Sequence, residues 1–355
     1  MPSQLLLFNK QLKEIAKFPS TRYQGSKLKF TNWIWEHIKD ISFHSVLDAF
    51  GGTGSVSFRL KQEGKSVTYN DILPFNYIIG KALIENKDIV LTDSDIDHIL
   101  TRHSNIEYND IITTTFKDIY YTEEENIWLD TTIGNIKAIR NQYKQAIAYF
   151  ALFQSCLTKR PYNLFHRRNL YVRLQDVKRT FGNKKTWDTP FEIHFRKFVK
   201  EANSAIFDNK EKCISLNNDV FEIAGLYDLV YIDTPYLNET GTGVDYAGFY
   251  HFLNGIVDYD NWKSKIDYKS KNLKLIQKPS VWNDPNKIFE AFEDLFLKFK
   301  DSILVISYRS NGIPSIEELT SILKNLNKQV KVYYSTEIKY ALSTKKSTEV
   351  LLVAC

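Results

Sequence analysis

Apolar positions in the first part of the chain change between the spacing of a helix and that of a strand. Residues 28–38 carry apolar side chains at helical spacing, and residues 45–50 form a short apolar run that stops at the glycines of 51–54. Residues 55–64 return to helical spacing, and residues 66–71 have the pattern of a second strand. Strand, glycine turn, helix and strand in succession predict an α/β fold.

The next strand of this kind, at 228–233, comes much later than the roughly 30 residues that a βαβ unit needs. Beyond it the helix and strand patterns alternate again, with helices at 286–300 and 315–326 and strands at 302–308, 329–334 and 348–355. We therefore predict a discontinuous core of residues 20–85 and 213–355, interrupted by an inserted domain of residues 86–212.

The insertion has two parts of different character. The first part is largely helical by its pattern, and this includes residues 133–157. The second part, residues 159–200, is rich in basic side chains. Such a run can be a solvated face, but its density favours contact with nucleic-acid phosphates. The candidate DNA-binding residues are Arg160, Tyr162, Arg167, Arg168, Arg173, Lys178 and Arg179.

Composition indicates the class of protein and its cellular environment. Across 355 residues the chain is 14% aromatic and 25% charged with a net charge of +5, which is typical of a globular protein. Its three cysteines stand far apart, without the spacing of a disulfide framework or a zinc site, so we expect a reducing cytoplasm and no metal. No apolar run approaches the roughly 20 residues of a membrane span. We expect a cytoplasmic monomer.

Two turns of the predicted core carry candidate binding residues. Glycines directly after a strand, at 51–54, let the backbone approach a ligand closely, although a plain strand-to-helix turn would look the same. Asp71 ends the second strand, where a carboxylate can accept hydrogen bonds from ribose hydroxyls or cap a helix. Asp219 follows in a later turn and can meet an adenine ring or simply be solvated.

The strand at 229–232 ends on Asp233, Thr234, Pro235 and Tyr236. The carboxyl end of a buried strand is where open α/β sheets place ligands. Asp233 and the Thr234 carbonyl are two acceptors beside the aromatic ring of Tyr236, and together they suit a flat ring that bears an amino group. A β-turn that uses proline is the structural alternative.

The four motifs together, at 22–27, 48–54, 69–71 and 233–236, resemble the D12 class (Dam-like, alpha type) of adenine-N6 DNA methyltransferases. Tyr23, Gly25 and Lys27 match a YxGxK-like motif, and Phe50, Gly52 and Gly54 match an FxGxG motif. The family's DPPY motif differs here in one position, because Thr234 replaces the first proline. The Thr234 carbonyl is retained, so the difference bears on efficiency more than on reaction type.

The resemblance implies a Rossmann-like methyltransferase core, S-adenosyl-L-methionine as cofactor and an inserted target-recognition domain. It assigns Tyr23 and Lys27 to the cofactor's amino-acid end, Asp71 to its ribose and Asp219 to its adenine. Asp233, Thr234, Pro235 and Tyr236 are the implied catalytic residues. The implied cofactor-binding set is Tyr23, Lys27, Asp48, Phe50, Gly51, Gly52, Thr53, Gly54, Asp71, Asp219, Val220 and Asp233.

The expected reaction is methylation of adenine N6 in double-stranded DNA after base flipping, as the modification enzyme of a restriction-modification system, with a cognate endonuclease as a possible partner. Methylation of RNA adenine or of cytosine N4 stays open, as does a catalytically inactive DNA-binding relative. A nicotinamide-dependent oxidoreductase is disfavoured, because the glycine spacing is not GxGxxG.

Overall fold

The computed structural model describes residues 16–176, 184–335 and 348–355, and its centre is a sheet of seven strands. In chain order these are β1 (Ser45–Asp48), β2 (Ser66–Asn70), β3 (Ile214–Leu216), β4 (Leu229–Ile232), β6 (Ile303–Arg309), β8 (Val330–Tyr334) and β9 (Glu349–Ala354). Two short strands, β5 (Leu237–Asn238) and β7 (Gly312–Ile313), form a separate antiparallel pair.

The spatial order of the sheet is β3-β2-β1-β4-β6-β9-β8. The first five of these strands are parallel, and β9 runs antiparallel to both of its neighbours. Every residue of β4 is buried, which explains its unbroken apolar sequence: helices cover both faces of a parallel sheet. The predicted α/β class and the predicted core strands are confirmed.

Helices fill both faces of the sheet and the insertion. The helices are α1 (Thr31–Ile38), α2 (Ser55–Gln62), α3 (Pro74–Gly80), α4 (Asp93–Leu100), α5 (Ile111–Thr115), α6 (Glu123–Lys137), α7 (Gln142–Thr158), α8 (Leu170–Leu174), α9 (Lys184–Asp188), α10 (Phe191–Asn203), α11 (Tyr246–Phe249), α12 (His251–Val257), α13 (Ile288–Lys298) and α14 (Ile316–Asn325).

Two features differ from the sequence pattern. Residues 133–157 belong to two helices, α6 and α7, because the Asn141 side chain accepts from the N–H groups of Tyr143 (3.0 Å) and Lys144 (3.1 Å) and starts a new helix there. The strand β3 was not predicted. It has only three residues and lies at the sheet edge beside β2, so it carries too little apolar pattern to be seen.

The insertion and the chain after the Asp233 turn share one hydrophobic cluster. Phe165 stacks on Phe252 of α12 with ring centroids 4.8 Å apart, and the Tyr120 hydroxyl lies 2.8 Å from Nε2 of His251. Tyr259 donates to Asp130 of α6. Because this cluster crosses the proposed boundaries, the division into 20–85 with 213–355 and 86–212 stays a prediction.

Within the described residues, no helix is both long and apolar enough to cross a membrane. The same part of the chain holds no group of three or more His, Cys, Asp or Glu side chains arranged for a metal ion.

Candidate active site

A cavity of about 740 Å³ opens at the carboxyl ends of β1 and β4. The strand order reverses there, because β2 lies on one side of β1 and β6 lies beyond β4. Such a switch point leaves a crevice above the sheet, which is where open α/β sheets bind ligands. Of the predicted cofactor-binding and catalytic residues, all but Gly54 line this cavity.

The glycine turn after β1 fits closely against Tyr69 of β2. A Cβ on Gly51 would stand 2.1 Å from the Tyr69 ring, so no larger residue fits without a backbone shift. Gly52 has a φ of +52°, and its carbonyl accepts from the Tyr69 hydroxyl at 2.7 Å. The turn is therefore held in place, with its backbone exposed to the cavity.

Asp48, at the end of β1, is 1% exposed. Its Oδ2 accepts from the Ser57 hydroxyl at 2.6 Å, while its Oδ1 is buried and has no hydrogen-bond partner among the described residues. Burial raises the pKa of Asp48 to about 7, against the lowering effect of the Ser57 hydrogen bond. An unsatisfied buried acceptor in a cavity wall marks a place where a ligand donor fits.

Asp71 lies across the turn and does more than either sequence interpretation proposed. It accepts from the N–H of Gly52 (2.9 Å), the N–H of Leu73 (2.8 Å) and Nδ2 of Asn76 (3.1 Å). Burial raises its pKa to about 6, and the hydrogen bonds from Leu73, Gly52 and Asn76 oppose that rise. Asp71 thus fixes the glycine turn and faces the cavity at once.

An aromatic wall stands on the other side of the cavity. Trp282 stacks on Phe221 with ring centroids 5.9 Å apart and 3° between the planes, and Phe50 meets Trp282 edge to face at 5.3 Å. Val220 is buried and also lines the cavity, and exposed Asp219 accepts from the N–H of Phe221 at 3.0 Å. These residues form an aromatic wall of the cavity, with the exposed carboxylate of Asp219 beside it.

The turn after β4 places Asp233 beside a buried ion pair. Nζ of Lys27 lies 3.2 Å from Oδ1 of Asp233 and 2.5 Å from Oε1 of Glu349, which also accepts from Ser307 at 2.7 Å. Burial raises the pKa of Asp233 to about 7; the charge of Lys27 lowers it, and that of Glu349 raises it. Lys27 therefore favours the ionised form of Asp233, against the effect of burial.

Tyr236 and Thr234 complete this turn. Arg309 lies over the Tyr236 ring at 5.3 Å, and Tyr308 meets that ring edge to face at 5.9 Å, so its orientation is fixed by neighbours on β6. Thr234 is 2% exposed, and its hydroxyl has no hydrogen-bond partner among the described residues.

The YxGxK-like motif reaches the site through a tight turn. Gly25 has a φ of +83°, and a Cβ there would stand 2.5 Å from the Tyr246 hydroxyl. Tyr23 stacks between Tyr246 (5.6 Å) and Tyr250 (4.6 Å), whose hydroxyl accepts from the N–H of Gln24 at 2.7 Å. This stack holds the motif so that Lys27 enters the buried pair.

Sequence reasoning missed several residues of the site. The pattern places Glu349 only in a closing strand, although a carboxylate in an otherwise apolar run is a usable signal. Tyr246, Tyr250 and Trp282 lie in a stretch for which the pattern predicts no element, and only their density of aromatic rings points to a role.

Some basic side chains of the segment 159–200 are buried inside the protein. Arg160 is 1% exposed and donates to the carbonyls of Tyr120, Leu164 and Arg167 and to the Asn169 side chain. These contacts occupy its guanidinium. The structure therefore places Arg160 inside the protein, contrary to the prediction that it contacts DNA.

Arg173 is 4% exposed and pairs with Glu125 at 2.6 Å, so it too lies inside the insertion. Tyr162, Arg167 and Arg168 are exposed, and they remain candidates for DNA contact. Lys178 and Arg179 lie outside the described residues.

Known proteins resemble this chain over most of its length. A family model described as D12 class N6 adenine-specific DNA methyltransferase matches residues 23–322. Type II methyltransferase M2.HphI of Haemophilus parahaemolyticus is 32% identical over 351 residues, which are 95% of this chain and 98% of that protein. Type II methyltransferase M.NlaIII of Neisseria lactamica is 23% identical over 321 residues, which are 86% of this chain and 88% of that protein.

Modification methylase StsI of Streptococcus sanguinis is 28% identical over 86% of this chain, which spans only 46% of that longer protein. The residues that the family model matches include both the glycine turn and the Asp233 turn. The chain belongs to the D12 class of N6 adenine-specific DNA methyltransferases, as the resemblance of its four motifs predicted.

Proposed function

We propose that this enzyme transfers the methyl group of S-adenosyl-L-methionine to N6 of an adenine flipped out of double-stranded DNA. We further propose that it is the modification enzyme of a restriction-modification system, since relatives bear the names of type II methyltransferases and modification methylases. The observation that carries the proposal is a single cavity that brings Asp48, Asp71 and the aromatic wall together with Asp233 and Tyr236.

The residues present fit the cofactor. The free Oδ1 of Asp48 can accept from the ammonium group of its amino-acid end, and Asp71 can accept from its ribose hydroxyls. The aromatic wall of Phe50, Phe221 and Trp282 offers ring faces and edges against which its adenine can pack. In this structure Lys27 pairs with Asp233 and Glu349. We propose that Lys27 keeps these ion pairs while it also contacts the cofactor.

When bound, the cofactor would supply a methyl group, whose bond to a positively charged sulfur breaks as the bond to adenine N6 forms, and one N6 proton is released to solvent. The residues of the chain act on the other reactant, the adenine N6, whose lone pair is delocalised into the ring. The Asp233 carboxylate and the Thr234 carbonyl accept hydrogen bonds from the two N6 protons, which favours a tetrahedral nitrogen with a directed lone pair. Tyr236 stacks on the ring and holds it in place. Positioning and electrostatics thus account for the rate.

Ionised Asp233 is a pure acceptor, whereas protonated Asp233 presents a donor to a donor. Because burial raises its pKa to about 7, Lys27 has a second task, which is to favour the ionised form. An adenine paired within a duplex cannot reach this buried turn, so the reaction requires base flipping at a cost of a few kcal/mol.

The direct test uses purified protein, cofactor labelled in the methyl group and duplex DNA, followed by digestion to nucleosides. Label in N6-methyladenine is expected. Label in N4-methylcytosine, or label in RNA and not in DNA, would overturn the proposal, and so would the absence of transfer. With the site mapped, 2-aminopurine in place of the target adenine should brighten on binding if the base leaves the stack; unchanged fluorescence would contradict flipping.

A further inference from the structure

A second basic segment lies outside the insertion. Residues 261–280 contain six lysines and one acidic residue, Asp267, a net charge of +5 that equals the net charge of the whole chain. In the basic segment 159–200, by contrast, many of the cations have protein partners. Among the described residues, and besides Arg160 and Arg173, these include Lys159 with Glu125, Lys184 with Asp188, Arg196 with Asp97 and Lys197 with Glu201.

Residues 266–278, here named the lysine hairpin, form a fixed structure. Ile266 and Leu275 make an antiparallel bridge, and the N–H of Asp267 donates to the Lys274 carbonyl at 2.8 Å. Asn272 fastens the tip to the insertion, because its Nδ2 donates to the Phe165 carbonyl at 3.0 Å and its own carbonyl accepts from the Tyr120 hydroxyl at 2.7 Å. These hydrogen bonds hold the lysines of the hairpin in a defined position relative to the insertion.

The lysine hairpin borders the active site. Leu275, Ile276, Gln277 and Lys278 line the same cavity as Asp233. An open groove of about 820 Å³ continues from there along the hairpin. Its charged and aromatic lining residues are Asp245, Asp267, Tyr268, Lys269, Lys274 and Lys278. A surface that leads out of the catalytic cavity is where the strand carrying a flipped base must lie.

The lysines of the hairpin are available to a ligand, and all of them except Lys271 line the groove. Lys269, Lys271 and Lys278 are exposed, and with half-buried Lys274 they form no ion pair with any carboxylate in the described part of the chain. Asp267 accepts from the N–H of Lys269 at 3.0 Å, so it shapes the turn. Exposed Ile276 stands at the rim between the groove and the cavity.

We propose that the lysine hairpin binds DNA phosphates next to the target adenine, with Lys269, Lys271 and Lys278 as the contacts. This inference rests on the proposed function, because it places the DNA around the same cavity. Through Asn272 and Phe165 the hairpin lies close to exposed Arg167 and Arg168, which extend the basic surface into the insertion.

The test compares two triple variants that remove equal charge. Lys269→Gln, Lys271→Gln and Lys278→Gln change the hairpin. Lys298→Gln, Lys300→Gln and Lys324→Gln are the matched control. These exposed lysines lie near the ends of α13 and α14, before β6 and β8, and so at the amino ends of the strands, opposite the cavity. Binding of a short duplex oligonucleotide is measured over a series of salt concentrations, without cofactor.

For every phosphate that the protein no longer neutralises, the slope of log affinity against log salt should fall by about 0.9. The hairpin variant should therefore show a slope smaller by up to about 2.7, while the control keeps the wild-type slope. Equal slopes in the two variants would overturn the inference, and so would an unchanged slope in the hairpin variant. Thermal unfolding of both variants shows whether the fold is kept. Since binding is measured without methyl transfer, a wild-type enzyme that fails to methylate adenine would refute the proposed function separately.

Discussion

Asp48→Asn offers a quantitative test of the site's electrostatics, because the two side chains have nearly the same shape. In the unfolded chain this carboxyl has its ordinary pKa of 3.8, and burial raises it to about 7 in the folded protein. Between these values the folded state binds a proton that the unfolded state has released, so stability falls as pH rises. At about 1.36 kcal/mol for each pH unit, the loss amounts to at most about 4 kcal/mol above pH 7.

The asparagine variant carries no such titration. Near pH 4 its free energy of unfolding should match that of the wild type within about 1 kcal/mol, and near pH 8 it should exceed it by about 1–4 kcal/mol. Urea unfolding at several pH values measures this difference. Carboxyl groups far from Asp48 cancel in it, whereas Asp233 and Asp71, whose charges raise the pKa of Asp48, contribute to it. The Ser57 hydroxyl can still donate to the asparagine oxygen, so that hydrogen bond does not confuse the result.

Asp228→Asn is the matched control with the opposite sign. Its carboxylate accepts from the N–H groups of Ser45 and His44, and these hydrogen bonds hold its pKa below the ordinary value. The stabilising contribution of the Asp228 carboxylate is present above its ordinary pKa and is lost as pH falls. Asp228→Asn should therefore have a lower free energy of unfolding than the wild type at neutral pH. A constant loss of stability in Asp48→Asn at every pH would refute the reasoning. Asp48→Asn should also bind the cofactor more weakly than the wild type, because stabilising a binding site often lowers its function.

Other variants test the roles of single side chains. Asp233→Ala should lower methyl transfer at least about 100-fold with little change in melting temperature, and near-normal turnover would contradict its role. Asp71→Ala should weaken cofactor binding in calorimetry about tenfold or more while DNA affinity without cofactor persists; unchanged cofactor affinity would leave Asp71 only its turn-bracing contacts. Activity should rise with pH through about 7. Lys27→Met should move that rise to higher pH and Glu349→Gln to lower pH; shifts in the same direction would refute the charge balance.

The core of the fold could be predicted because its strands are short apolar runs that end at recognisable turns. The glycine turn and the Asp233 turn were placed correctly, since both follow buried strands in a parallel sheet. Strand β3 escaped because three residues at an edge, held by pairing with β2, need little apolar character. The break between α6 and α7 depends on the Asn141 cap, which a continuous helical pattern hides.

The charged residues were harder to place, because sequence gives the number of charges and not their partners. Arg160 and Arg173 add to the positive charge of the insertion, yet the fold surrounds them with carbonyls and Glu125. Glu349 meets Lys27 across more than 300 residues of chain, and no local pattern indicates such a pair. Tertiary structure alone separates a buried ion pair from a surface that can bind DNA.

The most direct test of the central claim is to sequence DNA from a host that expresses the wild-type protein, read for modified adenines, beside DNA from the same host expressing Asp233→Ala. We expect N6-methyladenine at one recurring sequence with the wild type and none at that sequence with the variant. Equal methylation in both, or modification of cytosine in place of adenine, would contradict the assignment of Asp233 and Tyr236 as the site of methyl transfer.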